Sequence, residues 1–527
     1  MQQIIYVPLD ERPCNAKYPL QLAAMTDIPL ISPPAGMLGR KKRGADTRSL
    51  TEWLEQRLHE ASIMIVSVDM LIYGGIVPSR LHHLTQEQCF ERLHRLREWK
   101  RANPALRIYA FNLIMRAPAY DSSEEEPDYY ALYGKSINRW GWLKDKSQYE
   151  PLTSEEQVEW ERIEKTVPPE VLGDFLQRRS VNARVNQETI RLVAEGVIDC
   201  LVIPLDDNAK HGFSPMEQRR LSFEAEDNGV SDRVYIYPGA DEVGCTMFAR
   251  VFCEVNGYVP GIYVRYSSTL GPSIIPKYED RSLQESVKSH LTAAGAFMDD
   301  GSEHADAVLM VHCPPVSQKD VAETSVPYHE RHRSYYSEVN VHEFAKAIEV
   351  YANRGKLVAL GDVATCNGGD RSLMGYLARK GLLRTIGAYA GWNTSGNTLG
   401  TVIAHAVIES YYRKSDDKAK SRSESQHKNS RLFYISRLLE DWGYQSVVRK
   451  DVASNDLPAL GGGYFDISHI REQVYGILQQ KMERFAREYL LELAPGLTLS
   501  NIHLPWDRMF EIGFDLDTGT RKAPINC

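Results

Sequence analysis

The 527-residue chain lacks the patterns that most directly assign an activity. Its eight cysteines, Cys14, Cys89, Cys200, Cys245, Cys253, Cys313, Cys366 and Cys527, form no CxxC pair. Disulfide frameworks belong to small secreted chains, so reduced thiols in a cytosol are expected, with Cys200 and Cys313 as small buried hydrophobes. No uncharged apolar stretch approaches the ~18 residues of a membrane span. The opening MQQIIYVPLD runs straight into a strand pattern, with no basic region and apolar segment ahead of it, so no signal peptide is read. HExxH, a tight His-x-His pair, the GxSxG elbow, the dinucleotide fingerprint and the P-loop are all missing. So is a basic face. With a net charge of −8, the one basic cluster, Arg40-Lys41-Lys42-Arg43, reads as a solvated loop, and nothing marks a nucleic-acid binder.

What is present is an ordinary globular composition, 43% hydrophobic and 25% charged, long enough for two or three domains or one large α/β domain with an appendage. Short runs rich in Val, Ile and Tyr recur at 4–12, 63–71, 107–116, 200–207, 234–242, 261–268, 307–315, 357–370 and 385–397. Near-continuous apolar strands of this kind belong to parallel sheets covered on both faces. Amphipathic segments at 49–61, 85–101 and 283–295, and a longer helical insertion at 155–197 broken near Pro168-Pro169, separate them. The fold class is therefore α/β, with parallel strands alternating with helices. Two architectures stay open: a (β/α) barrel-like fold, or two adjacent doubly wound sheets with a break near residue 258. Residues 1–413 read as the α/β catalytic region, 414–430 (KSDDKAKSRSESQHKNS) as a polar linker or loop, and 431–527 as a mainly helical part with a terminal strand segment.

The apolar runs end in polar residues. Asp10, Glu11, Arg12 and Asn15 follow the first, Asp69 the second and Arg116 the third. Asp206, Asp207, Lys210 and His211 follow the next, then Asp241 and Glu242; Asp362, Asn367 and Asp370 follow a later run, and Trp392, Asn393 and Asn397 the last. Strand-end carboxylates commonly cap the following helix. In parallel α/β folds, however, the carboxyl ends of strands are also where ligands gather. Asp206 and Asp207 are the candidate catalytic pair. Neighbouring carboxyls in a partly dry cleft resist joint ionisation, so one stays an acid while the other serves as base or orienting anion. That is the equipment of glycoside cleavage. The remaining strand-end residues would bind substrate. Trp392 has two readings, an exposed ring stacking on a sugar face or a core residue beside a Gly-rich turn. Asp10, Asp69, Asp206, Asp241 and His211 would be the ligands of a divalent metal, were one used. His82, His83 and His312 read as surface or core histidines, and Cys14 as a thiol near Arg12 without an identifiable histidine partner.

Together, PLDERPCN (8–15), PPAGMLGRKKRGAD, VSVDMLIYGGIVPSR, IPLDDNAKHG, YPGADEVG, GWNTSGNTLGT and LPWDRMFEIGFD resemble a bacterial family catalogued only as a domain of unknown function. The resemblance covers nearly the whole chain and implies one functional unit of a bacterial cytoplasmic protein, without bringing an activity. IPLDDNAKHG alone is similar to the acidic strand end of glycosidases that act on N-acetylated sugars, where one carboxylate orients the acetamido group and the other protonates the leaving oxygen. The sequence thus leads to a hydrolase of a glycosidic bond in a small, sugar-like conjugate, N-acetylated or not. Asp207 would be the acid and Asp206 the orienting anion, or the reverse, with no cofactor required. The rival expectations are a metal-dependent enzyme on a phosphorylated or carboxylated metabolite and a non-enzymatic small-ligand binding protein. No nucleic-acid or membrane partner is expected, and homo-oligomerisation stays open.

Overall fold

The computed structural model describes residues 3–317 and 321–518. They divide into two units. The first comprises the chain up to Ala23, Ile28–Phe248 and Tyr278–Ala293; the second comprises Ala24–Asp27, Ala249–Lys277 and the chain from Ala294 onward.

The first unit is a six-stranded parallel sheet. Its strands are β1 (Gln3–Val7), β2 (Leu30–Ile31), β3 (Ala61–Ser67), β4 (Arg107–Phe111), β5 (Cys200–Leu205) and β6 (Val234–Pro238), in the order β2-β1-β3-β4-β5-β6. The register aligns Tyr6 with Ile65, Val66 with Ala110, Ala110 with Leu201 and Val202 with Tyr235. Because helices cover both faces, strand residues facing either way are apolar, and Ile5, Val66, Ile108 and Leu201 are fully buried. The anticipated insertion folds as Ser154–Thr166 and Pro169–Ala194. The break falls at Pro168-Pro169, since a proline is readily placed in a first helical turn but not inside one.

The second unit has β7 (Gly261–Tyr266), β8 (Phe297–Asp299), β9 (Ala307–His312), β10 (Leu357–Asp362) and β11 (Ile386–Ala390), all parallel, in the order β11-β10-β9-β7-β8. Read from its second strand, this is the same progression as in the first unit: second, first, third, fourth, fifth. In each unit the order reverses between the first and third strands, the topological switch point at which open α/β sheets hold ligands. Both sheets are open, with edge strands at either side, so the barrel alternative is set aside. It had fitted because β2 and β8 are too short to register as apolar runs, which left the strand count near that of a barrel.

The segment 414–430 differs from the expected loop. It carries the helices Asp416–Ser421 and Glu424–Arg437. Ser415 caps the first, and Ser423 and Gln426 form a capping box on the second, so side-chain caps supply what the missing apolar residues do not. Beyond it, π-helical turns span Leu438–Val448, the helix Arg471–Tyr489 follows, and β12 (Leu497–His503) pairs antiparallel with β13 (Gly513–Thr518). Among the described residues no helix is long and apolar enough to cross a membrane. The seven described cysteines are buried; Cys527 lies outside the described residues.

Candidate functional site

The carboxyl-end rim of the first sheet gathers most of the anticipated residues. After β1, Arg12 is clamped on Asp10, with Nε 2.8 Å from Oδ2 and its backbone N–H 2.9 Å from Oδ1. Its Nη2 reaches Asp241 Oδ1, beyond β6, at 2.5 Å. Asn15 Nδ2 donates to both carboxylates, at 3.0 and 3.2 Å. Loops far apart in the chain are thereby tied into one buried knot. Burial raises the Asp10 carboxyl above its usual range, although Arg12 opposes the shift.

Asp69 begins the helix Val68–Tyr73, which Ser67 caps at the end of β3. That helix stops at Gly74, whose φ of +86° is a left-handed conformation suited to glycine. Asp69 Oδ2 accepts from the Leu113 N–H at 3.0 Å and from Asn112 Nδ2 at 3.3 Å. It is 2% exposed, and burial pushes its carboxyl up to about 7.

Beside it runs a ladder of guanidinium and carboxylate groups. Arg80 Nη1 lies 3.0 Å from Glu125 and 3.3 Å from Glu126, and its Nη2 lies 2.7 Å from Asp206. Arg116 meets Glu125 at 3.1 Å, Glu126 at 2.8 Å and Asp207 at 3.6 Å. Asp207 has a φ of +51°, a conformation Asp tolerates through its short polar side chain. Burial first, and the Asp206 charge second, push its carboxyl up to about 6. Its side chain remains 26% exposed against 12% for Asp206, so the neighbouring carboxyls differ in environment and in access. Tyr120 stands at the rim, 44% exposed, its ring 6.0 Å from the Arg116 guanidinium and its phenol pushed up to about 12 by burial.

Three further candidates sit differently. Lys210 pairs with Glu150 on the exposed surface at 3.1 Å. His211 lies 3.6 Å from Asp145 and edge-on to Trp142. Glu242 turns into the interior to bond Thr246 and lies 3.5 Å from His290. Glu11 accepts from the Lys41 N–H at 2.9 Å, while Lys41 Nζ reaches Glu124 at 2.5 Å. Arg40, Lys42 and Arg43 are exposed, as a solvated loop requires, while Lys41 is half-buried against the acidic side chains. Arg80, Tyr120, Glu125 and Glu126 were not singled out from the sequence. Arg80 closes the short buried helix Ile76–Ser79, while Tyr120, Glu125 and Glu126 lie in the polar loop after β4, where only the run of glutamates at 124–126 signalled them.

The candidates after β10 and β11 belong to the second unit. Asp362 ends β10, and its Oδ2 accepts from the Asp370 N–H at 2.7 Å. Asn367 and Asn393 share left-handed φ values of 60° and 62°, and the Asn367 N–H bonds the Asn393 carbonyl at 2.9 Å. Asn397 lies in the first turn of the helix Ser395–Arg413. Trp392 is 4% exposed and edge-on to Phe510, so the stacking reading fails and the core reading stands.

A family model described as "Protein of unknown function (DUF4127)" matches residues 4–515. The chain belongs to the DUF4127 family. No curated protein and no solved structure matches it. Among the described residues of this DUF4127 protein, no group of three or more His, Cys, Asp or Glu is arranged to hold a metal ion, so the anticipated ligands Asp10, Asp69, Asp206, Asp241 and His211 do not form such a group. What the first rim offers is protons. Asp69 and Asp207 hold them above the ordinary carboxylate range, and burial likewise pushes the inward-turned Glu242, away from the rim, up to about 8.

Raised carboxyl groups favour the fold while protonated. Their stabilisation is complete below the unfolded value near 4 and is lost as pH climbs through 6 to 8. The melting temperature of the DUF4127 protein is therefore expected to fall between pH 5 and pH 9. Asp69→Asn, which keeps an oxygen for the Leu113 N–H, is expected to flatten that fall by roughly 2–4 kcal/mol. Identical pH–melting curves for the variant and the parent would show that Asp69 ionises without strain.

Proposed function

We propose that the rim of the first unit is an acid/base site that hydrolyses a glycosidic bond in a small, hydroxyl-rich sugar conjugate. The observation that carries the reading is the unequal pair Asp206 and Asp207. Asp207 is the more exposed and retains its proton up to about pH 6, while Asp206 is bound to Arg80. In this reading Asp207 protonates the departing oxygen. Asp206 supplies the fixed negative charge that orients an N-acetyl group, or steadies the positive charge developing on the sugar ring. Tyr120 takes the stacking role first considered for Trp392, because its exposed ring stands close enough to Asp207 to feel its charge.

The charge balance supports a neutral substrate. Arg12, Arg80 and Arg116 are each engaged by carboxylates of the same rim, so a phosphorylated or carboxylated metabolite would meet an acidic surround. Hydroxyl groups, by contrast, can donate to such oxygens without repulsion. The test is a panel of chromogenic glycosides, including N-acetylhexosaminides, incubated with the full-length protein. Turnover of at least one is expected; none across the panel removes the glycosidase reading.

A further inference from the structure

We infer that the second unit carries a serine nucleophile, Ser267, activated by His312 and Asp370, that cleaves carboxylic esters by acyl transfer. These residues lie at the switch point of the second sheet. Ser267 directly follows β7, and His312 ends β9, the strands between which the order reverses. In the first unit the loops that follow the first and third strands carry Asp10 and Asp69.

Ser267 Oγ is 3.0 Å from His312 Nδ1, and His312 Nε2 is 3.2 Å from Asp370 Oδ2. With the ring proton on Nε2 donated to Asp370, Nδ1 is free to accept the serine proton. Each member is fixed from behind. The Ser267 N–H donates to the Val311 carbonyl at 3.0 Å, which continues the β7–β9 register. Phe344 packs against the imidazole with ring centres 5.8 Å apart. Asp370 Oδ1 caps the helix Arg371–Arg379 through the Ser372 N–H at 2.8 Å, while Arg331 Nη1 holds Oδ2 at 3.1 Å. Although burial works against it, the His312 bond and the Arg331 charge keep Asp370 below the usual carboxylate range, an anion able to balance an imidazolium. Ser267 Oγ also accepts from the Cys313 N–H at 3.0 Å and lies 3.5 Å from Cys313 Sγ, so its position is fixed from the β9 side as well. All three side chains lie in the interior, at 4% exposure for Ser267, 1% for His312 and 2% for Asp370.

The step balances within the site. Ser267 Oγ bonds to the ester carbon as its proton passes to His312 Nδ1. The tetrahedral adduct expels the alcohol, which takes that proton from His312, leaving an acyl-serine. Water, deprotonated by His312, then releases the carboxylic acid and restores Ser267.

The test uses the full-length protein and a fluorophosphonate probe, which forms a P–O bond to an activated serine as fluoride leaves. Labelling is expected at a single residue, mapped to Ser267 by peptide mass spectrometry. It should vanish in Ser267→Ala and slow by about 10²-fold or more in His312→Gln. If His312→Gln does not fold, the parent and Ser267→Ala decide alone, since an alanine at this position removes only one oxygen. No adduct on the folded parent, or labelling that persists at the same rate in Ser267→Ala, overturns the inference.

Discussion

Replacing Arg80 by methionine is expected to lower the free energy of unfolding by about 3–5 kcal/mol, the range for removing one partner of a buried ionic network. Arg80 is 2% exposed, and its guanidinium is shared by Glu125, Glu126 and Asp206. Methionine fills much of the volume but removes the guanidinium that these carboxylates share, while Arg116 still meets Glu125 and Glu126. Arg80→Lys should recover only part of the loss, because one ammonium cannot reproduce the fork that spans Glu125 and Asp206 together. Burial already favours the protonated form of Glu126, so the penalty of Arg80→Met should shrink when unfolding is measured near pH 5 instead of pH 8. A loss below about 1 kcal/mol at neutral pH, typical of a surface ion pair, would mean that water reaches this ladder.

The parts of this structure legible in the sequence are those written by period and burial. Every long apolar run became a strand, because a parallel sheet covered on both faces demands uninterrupted apolar residues. The carboxylates after β1, β3, β5 and β6 were visible for the same reason: they mark where apolar pattern stops. Partners were not visible. That Arg12 would join Asp10 to Asp241 could not be read, since β3, β4 and β5 stand between β1 and β6 in the sheet and no strand pairing brings the two loops together. Arg80, at the end of a four-residue helix, and Tyr120, in a loop, were missed because neither position carries a period. Trp392 kept two readings because an aromatic ring beside Asn and Gly looks alike whether the turn faces water or Phe510. The helix Glu424–Arg437 was legible after all, in the Ser423 and Gln426 spacing of a capping box, but the polar composition around it outweighed that signal. His312 was read as a surface or core histidine. It is in the core, yet both its ring nitrogens are occupied by Ser267 and Asp370, which only the β7–β9–β10 register brings beside it.

Asp207→Asn is expected to reduce glycoside hydrolysis by about 10²–10⁴-fold, the range for losing a general acid. The amide is the right substitution because the backbone there is left-handed, a conformation asparagine shares with aspartate, whereas Asp207→Ala would add strain to the chemical loss. Three readouts separate a proton donor from a residue that merely shapes the rim. The parent's rate should decline as pH rises through about 6, where Asp207 gives up its proton, and the variant's rate should not follow that limb. The deficit should also narrow for aryl glycosides whose leaving phenol is acidic, since such groups depart without protonation. Finally, Asp206→Asn should depress all substrates alike, because a fixed charge acts on the ring and not on the leaving oxygen. A variant at Asp207 that hydrolyses every glycoside at the parent's rate, or that loses activity equally for good and poor leaving groups with an unchanged pH profile, would deprive Asp207 of the acid role, whatever the substrate proves to be.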